Sequence, residues 1–197
     1  MNTNRLLFAS LSALAALTFA PAGALAQADD AAPAAEEAKK APAAKLTPIP
    51  AEKLKATLPE KLGELKRGDA QATDIKMGDM QQSSVTAPYA VDPDKDTAPT
   101  GSVTLVDTAD PETQKGMTMW ADTEMDVKTD KTFQKVYKIE GQPAMQSYNS
   151  DDKAGTIVIG IGERITLSAD FQNVSADQFK KLCEQLPVKA VLALVKK

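Results

Sequence analysis

The sequence predicts an α+β fold, in which a single twisted antiparallel sheet of about six or seven strands carries a C-terminal helix packed on one face. Three observations favour this fold class. Short segments alternate apolar and polar residues with the period of two that is typical of half-buried strands. Short connections join these segments, and strands joined in that way are usually antiparallel neighbours. The last segment of the chain places apolar residues at helical spacing.

The strongest strand signals lie in the second half of the chain. Ile165, Leu167 and Phe171 alternate with polar residues, and residues 160–163 are predicted to form the turn that precedes them. Gly141 is expected to turn an earlier hairpin. In chain order, the predicted strands lie at about residues 66–76, 85–91, from 103 onward, 132–140, 144–148, 157–161 and 165–171.

Helices are predicted at three places along the chain. Residues 50–58 suit a lead-in helix, and Asp110 suits the N-cap of a second helix that begins with proline. Ser175 and Gln178 have the spacing of a capping box at the start of the C-terminal helix. Pro187 is expected to start or kink a last helical segment. The apolar face of the two C-terminal segments consists of Phe179, Leu182, Cys183, Leu186, Val188, Val191, Leu192 and Val195.

The chain divides into three parts by composition. Residues 1–26 combine the basic Arg5, an apolar stretch and an A-x-A pattern, which together predict a secretory signal peptide cleaved after Ala26. Residues 27–47 are rich in Ala, Pro, Glu and Lys and contain one Leu, so they are predicted to be a disordered tether. Residues 48–197 remain as one globular α+β domain.

Export predicts a soluble protein in a bacterial periplasm or outside the cell, with no membrane span after cleavage. The formal net charge of the full sequence is −4 at pH 7, and no block of basic residues is present. This balance argues against a nucleic-acid partner, because phosphate contacts need clustered Lys and Arg. The single cysteine, Cys183, cannot form a disulfide within the chain, and its place on an apolar helical face predicts a core residue.

The sequence offers few groups for catalysis. It contains no His, which excludes Ser-His-Asp and Cys-His nucleophiles and zinc sites with imidazole ligands. The G-I-G string at residues 160–162 lacks the third glycine of a dinucleotide-binding turn, so no cofactor is predicted. The carboxylates that keep an acid–base envelope hydrolase open as an alternative are Asp107, Asp110, Asp122 and Asp126.

The methionines allow a second alternative, a Met-rich Cu(I)-binding protein. Thioethers are soft ligands that select Cu(I), a metal handled in the periplasm. Methionine also fills irregular gaps in cores, and that interpretation is the one preferred here, so no metal site is assigned. The candidate Cu(I) ligands are Met77, Met80, Met117, Met119 and Met125.

Residues 58–67, LPEKLGELKR, resemble the LPxxLxGxxR opening of an uncharacterised group of secreted bacterial envelope proteins, with Gly63-Glu64 in place of a Gly-Gly-like step. The features that follow in similar order are a strand ending in Val106-Asp107-Thr108, a helix with Trp120, a hairpin with Tyr137 and Gly141, the string Gly162-Glu163-Arg164-Ile165, and a closing helix. The resemblance implies an envelope location and a domain over residues 58–195, and it implies no reaction or site residue.

Together these patterns favour binding over catalysis. The expected role is that of an exported, non-catalytic binding or accessory module, whose partner is a small apolar or peptide-like ligand or an envelope protein. Such a ligand is expected between the sheet and the helices, where a curved sheet with a covering helix forms a pocket.

Overall fold

The computed structural model describes residues 46–78 and 80–196. The predicted signal peptide and residues 27–45 of the predicted tether lie outside the described residues. The helices are α1 (Ala51–Lys55), α2 (Pro111–Met117), α3 (Ala176–Glu184) and α4 (Val188–Val195), with a 3-10 helix at Met119–Asp122. The strands are β1 (Lys61–Leu62), β2 (Leu65–Arg67), β3 (Gln71–Met77), β4 (Met80–Ala90), β5 (Thr100–Asp107), β6 (Met125–Lys128), β7 (Thr132–Ile139), β8 (Gln142–Asn149), β9 (Ala154–Ile161) and β10 (Ile165–Gln172).

These strands form one antiparallel sheet with the order β1-β2-β4-β5-β10-β9-β8-β7-β6. β3 follows β2 along the same edge of β4, because β2 pairs with Tyr89 and Ala90 while β3 pairs with the earlier part of β4. After β5 the chain crosses to the opposite edge of the sheet, where β6 begins. It then returns strand by strand until β10 pairs with β5.

One face of the sheet carries the hydrophobic core. Val85, Leu105 and Ile159 project from it and are fully buried. On this face, the ring of Phe179 from α3 packs against Tyr148, α4 contacts β9, and α1 contacts β3 and β4. The opposite face is rich in Thr and Ser, and α2 contacts it beside Gly160. The predicted α+β class with C-terminal helical packing on an antiparallel sheet is therefore confirmed.

The predicted number of six or seven strands is wrong, since the described residues form ten. Residues 66–76 form two strands rather than one, because the chain breaks between β2 and β3 at residues 68–70. β1 and β6 were missed because they are short and lie at the sheet edges, where β6 shows no buried alternation. The turn before β10 begins at Gly162, two residues later than predicted, because β9 continues through Gly160 to Ile161.

The predicted helix boundaries are close to those observed. Asp110 caps α2 by accepting from the Glu112 N–H, and both halves of the capping box between Ser175 and Gln178 are present. α4 begins directly after Pro187, as expected. Among the residues that the structure describes, no helix is both long enough and apolar enough to cross a membrane.

Candidate functional site

A cleft of about 230 Å³ lies between α3 and the turn that joins β1 to β2. We call it the α3 cleft. Its apolar lining consists of Leu65, Val91, Pro99, Val174 and Leu182, and its polar lining includes Glu64, Gln178, Lys181 and Gln185. Leu65, Val174 and Leu182 belong to the buried core, so the cleft is an opening onto the core at the end of the sheet.

The β1–β2 turn is fixed to α3 by one long-range hydrogen bond. Gly63 adopts a φ of 58°, a left-handed conformation that favours glycine. Its N–H donates to Oε1 of Gln185, just after α3, at 2.6 Å. Leu62 and Leu65 flank the turn and are buried. The two walls of the α3 cleft are therefore held together by contacts between residues that are far apart in the chain.

Residues 58–67, which carry the resemblance described above, include the β1–β2 turn that forms one wall of the cleft, and two hydrogen bonds fix their position. The guanidinium Nη1 of Arg67 donates to the carbonyl of Leu58. The hydroxyl of Tyr89 donates to the carbonyl of Pro59 at 2.8 Å. Burial raises the pKa of Tyr89 to about 12, against the opposing effect of nearby Arg67, so this hydroxyl keeps its proton at neutral pH. The string therefore has a structural role at the border of the cleft.

The polar side of the cleft combines hydrogen-bond donors on and next to α3 with the carboxylate of Glu64 on the β1–β2 turn. Oε1 of Gln178 accepts from the Ser175 N–H at 2.8 Å, and Oε1 of Gln185 accepts from Gly63. Because both amide oxygens point into the protein's own hydrogen bonds, the two amide NH₂ groups are left as donors. Lys181, exposed on α3, adds a positive charge. This arrangement suits a carbonyl or carboxylate oxygen next to an aliphatic group.

The size of the α3 cleft limits what it can hold. Pockets for drug-sized ligands are about 300 to 1,000 Å³, and this cleft is smaller. It has room for an aliphatic side chain or two rather than for a whole cofactor. A small apolar pocket of this kind resembles the pockets that receive single anchoring side chains in protein–peptide contacts.

The four carboxylates that kept a hydrolase open do not share one location. Asp107 lies at the end of β5, while Asp126 lies on β6, five strands away in the sheet. At a spacing of about 4.8 Å per strand, these two are separated by roughly 24 Å, beyond the roughly 5 to 9.5 Å of a glycosidase pair. Asp110 is the N-cap of α2, and Asp122 is exposed. Asp126 instead pairs with Lys135 at 3.4 Å.

Asp107 is fully buried and holds several parts of the chain together. Its carboxylate accepts from Nε and Nη2 of Arg164 at 3.0 and 2.7 Å, a two-point ion pair. It also accepts from the N–H groups of Ile49 and Ala109, both at 2.8 Å. Arg164 in turn donates to the carbonyl of Thr47 at 2.7 Å. Four donors saturate this carboxylate, which gives Asp107 a structural role.

Among the candidate Cu(I) ligands whose side chains the structure describes, one pair lies together. Met77 and Met80 are opposite each other in the β3–β4 hairpin. Met125 lies on β6 at the other end of the sheet, and Met119 is exposed on the 3-10 helix. The side chain of Met117 lies outside the described residues. Among the described residues, no group of three or more His, Cys, Asp or Glu side chains is arranged to hold a metal.

Cys183 is a core residue, as the sequence predicted. It is buried in α3, and burial raises the pKa of its thiol to about 12. Tyr137 lies close to it, and burial, together with the negative charges of an ionised Cys183 and of Glu184, raises the pKa of that phenol to about 12. A thiol that is protonated and buried is a poor nucleophile.

Sequence patterns missed several residues of the α3 cleft. Val91 was assigned to the end of the predicted strand at 85–91, Pro99 precedes a strand without belonging to an amphipathic pattern, and Gln185 is one of many polar residues near the C-terminus. The glycine at 63, between two buried leucines, is the one local signal that marked this turn.

No protein-family model, no curated protein and no solved structure matches this chain. The resemblance over residues 58–67 therefore stays a prediction.

Proposed function

We propose that this protein is an exported, non-catalytic binding module that holds an apolar, peptide-like group in the α3 cleft. The observation that carries the proposal is the combination found there: an apolar lining that opens onto the core, bordered by amide donors and by Lys181. The ligand enters between α3 and the sheet edge, the kind of position the sequence predicts.

The donors around the cleft favour a peptide over a plain hydrocarbon. The amide groups of Gln178 and Gln185 donate to carbonyl oxygens, while the ammonium of Lys181 attracts a carboxylate. An aliphatic side chain fills the apolar part. A Leu- or Val-containing peptide end meets all three requirements, whereas a nucleotide or sugar leaves the apolar lining in contact with polar groups.

Nuclear magnetic resonance titration of the protein tests this proposal with two short peptides. The probe is an acetylated Leu-Leu dipeptide with a free carboxylate, and the comparison peptide is acetylated Ser-Ser. Shifts at the amides of Gly63, Val91 and Lys181 that saturate with the Leu-Leu peptide alone support the proposal. Shifts spread evenly over the sheet, or no saturation with either peptide, contradict it.

A matched pair of variants distinguishes binding in the α3 cleft from non-specific binding to the protein surface. Val91 is itself 40% exposed, so Val91→Glu places a charge in the apolar lining without replacing a buried residue. This variant is expected to weaken binding at least about tenfold. Val127→Glu makes the same change at an exposed valine on β6 and is expected to leave binding unchanged. Equal losses in both variants contradict the site.

Export has its own test. Expression of the whole chain in a Gram-negative bacterium, followed by cell fractionation and N-terminal sequencing, is expected to give a periplasmic protein that begins at Gln27. A chain that keeps Met1 and stays in the cytoplasm contradicts the proposed location. The binding assay is independent of this result.

Cu(I) binding is a second candidate function, favoured by the register that pairs Met77 with Met80. Both thioethers are exposed at the same hairpin, within reach of one soft metal ion. Competition for Cu(I) with a coloured chelator is expected to show one site that is lost in Met77→Leu and Met80→Leu. Met119→Leu, at an exposed methionine elsewhere, is the control, and equal retention by all three variants contradicts the site.

A further inference from the structure

β3 leaves part of one sheet edge open. It pairs with β4 on one side. On the other side, β1 pairs with β2 and does not extend along β3. No described residue forms a strand pairing with the outer edge of Gln71–Met77. An exposed edge of this length is a template for another strand.

The turn of the β3–β4 hairpin shows which backbone groups point outward. Met77 and Met80 are opposite each other with two residues between them in the sequence, and the pair that closes so short a hairpin exchanges its hydrogen bonds. Hydrogen-bonded and non-bonded pairs then alternate along the ladder. The N–H and C=O groups of Ala72, Asp74 and Lys76 therefore point away from β4 and toward the open edge.

The same hairpin exposes three large apolar side chains. Ile75 is 40%, Met77 62% and Met80 54% exposed, and their positions place all three on one face of the sheet. Exposed apolar side chains next to an unpaired strand edge are the combination that another strand can cover, so this surface points to a partner strand.

We propose that β3 pairs with β3 of a second copy of this chain, antiparallel and centred on Ile75. Oδ1 of Asp74 already accepts from the Ala51 N–H at 3.0 Å and from the Ser83 hydroxyl at 2.5 Å, so Oδ2 is the oxygen that faces a partner. In this register Asp74 of each copy lies opposite Lys76 of the other, so two ion pairs form about the twofold axis. The outward N–H and C=O groups of the same two residues provide the hydrogen bonds. Ile75 meets its own counterpart at a non-bonded position, where cross-strand side chains come closest.

Charge selects this register and this occupant. Centring the pairing on Asp74 or on Lys76 places like charges directly opposite, which is unfavourable. A strand whose charges complement themselves about a twofold axis meets the requirement of a symmetric dimer, in which the same patch serves both copies. The dimer goes beyond the proposed binding role, and neither depends on the other.

Sedimentation over the micromolar to near-millimolar range tests the dimer. The unmodified chain is expected to associate reversibly to a dimer and no further. Lys76→Asp places like charges opposite each other twice and is expected to weaken association roughly tenfold. Lys128→Asp, on the edge strand β6, is the control and is expected to leave association unchanged. A protein that stays monomeric throughout, or one that Lys76→Asp leaves equally dimeric, overturns the proposal.

Disulfide trapping tests the register directly. Ile75→Cys is expected to form a covalent dimer on mild oxidation, since cross-strand neighbours have the separation that a disulfide needs. The native Cys183 is buried and does not compete. Val127→Cys on β6 is the control. Covalent dimers from Val127→Cys and none from Ile75→Cys overturn the proposal, and unfolding curves of each variant confirm that the fold is intact.

Discussion

At the scale of single residues, the carboxylate of Asp107 joins the end of β5 to the chain before α1 and to the turn before β10. Asp107→Ala leaves Arg164 buried with 11% of its side chain exposed and removes the acceptor of two backbone N–H groups. Breaking a buried ion pair in this way costs about 3 to 5 kcal/mol. We expect a loss of unfolding free energy of that size, measured by urea denaturation.

An exposed ion pair of the same protein is the control for this prediction. Asp126 and Lys135 are both well exposed, and pairs of that kind contribute roughly 0 to 1 kcal/mol. Asp126→Ala is therefore expected to change the urea midpoint little. Similar losses for Asp107→Ala and Asp126→Ala would show that the buried pair has no special structural role.

Three groups, of which two are buried and one is half-buried, predict a loss of stability in alkali. Cys183, Tyr89 and Tyr137 have ordinary pKa values of 9.0 or 10.0, and burial raises each pKa to about 12 in the folded protein. The folded chain holds these protons more tightly, so their stabilising contribution is complete below about pH 9 and disappears as the pH rises toward 12.

Urea midpoints measured across that pH interval test the prediction. They are expected to fall, and to fall less steeply in Cys183→Ala because one of the three groups is gone. A thiol reagent is expected to modify Cys183 only after unfolding. Rapid modification of the native protein, or midpoints that rise with pH, is the contrary result.

The residues of the candidate site show what local sequence can and cannot reveal. Cys183 was predicted as a core residue because helical spacing alone places it on the apolar face. The α3 cleft was not, because Gly63 and Gln185 meet across 122 positions of the chain. Asp107 is a catalytic candidate from sequence alone, because the sequence shows its charge but not its pairing with Arg164, 57 positions away.

At the scale of elements, two glycines predict opposite effects of the same substitution. A Cβ at Gly155 would lie 2.6 Å from the ring of Phe179, so Gly155→Ala pushes α3 away from β9. Overpacking of this kind costs about 1 to 3 kcal/mol. At Gly116, inside α2, a Cβ meets nothing within 4 Å. Gly116→Ala is expected to stabilise by up to about 1 kcal/mol, through helix propensity.

Thermal unfolding of the two variants checks both signs. The melting temperature is expected to fall for Gly155→Ala and to rise slightly for Gly116→Ala. A rise for Gly155→Ala would mean that α3 does not pack on β9 as described.

Removal of α4 is expected to disrupt the fold. Val188 and Val191 are almost completely buried, and Val195 packs against the core. Each side chain contributes up to roughly 1.5 to 3 kcal/mol, so the sum approaches the margin of a typical domain. Circular dichroism melting of a chain that ends at Pro187 measures the loss.

A chain that begins at Leu46 provides the comparison. It keeps the Thr47 carbonyl that Arg164 contacts, and the composition of the preceding residues predicts no contribution to the core. Its melting temperature is expected to stay close to that of the full chain. A large loss in this variant, with little loss after removal of α4, would reverse the predicted domain organisation.

The accuracy of the element predictions depended on burial. β10 alternates clearly because one of its faces lies on the core, and its extent was close to the prediction. β6 was missed because it has four residues, of which one is half-buried and the other three are exposed. Edge strands are specified by their pairing partner more than by their own pattern, so the sequence underestimated the number of strands.

At the scale of the whole molecule, the path of the chain through the sheet sets the order of assembly. β1 to β5 and β6 to β10 are two meanders of mostly local hairpins. In the described part of the chain, the strands of the two meanders pair with each other only where β5 pairs with β10, from Asp107 opposite Ile165 to Thr100 opposite Gln172. We expect contacts between residues so distant to form late in folding, because the entropy cost of closing a long loop precedes the gain from the contacts.

This central seam makes the protein a candidate for reassembly from two pieces. A cut between Thr123 and Glu124, both exposed, leaves each meander whole. Each fragment then ends its sheet in an apolar strand that has lost its neighbour, β5 in one and β10 in the other. Mixing the fragments is expected to restore the native circular dichroism spectrum, and failure of either fragment to find the other would contradict a fold built in two halves. If each fragment were fused to one of two interacting proteins, the pairing of β5 with β10 would report that those two proteins had come together.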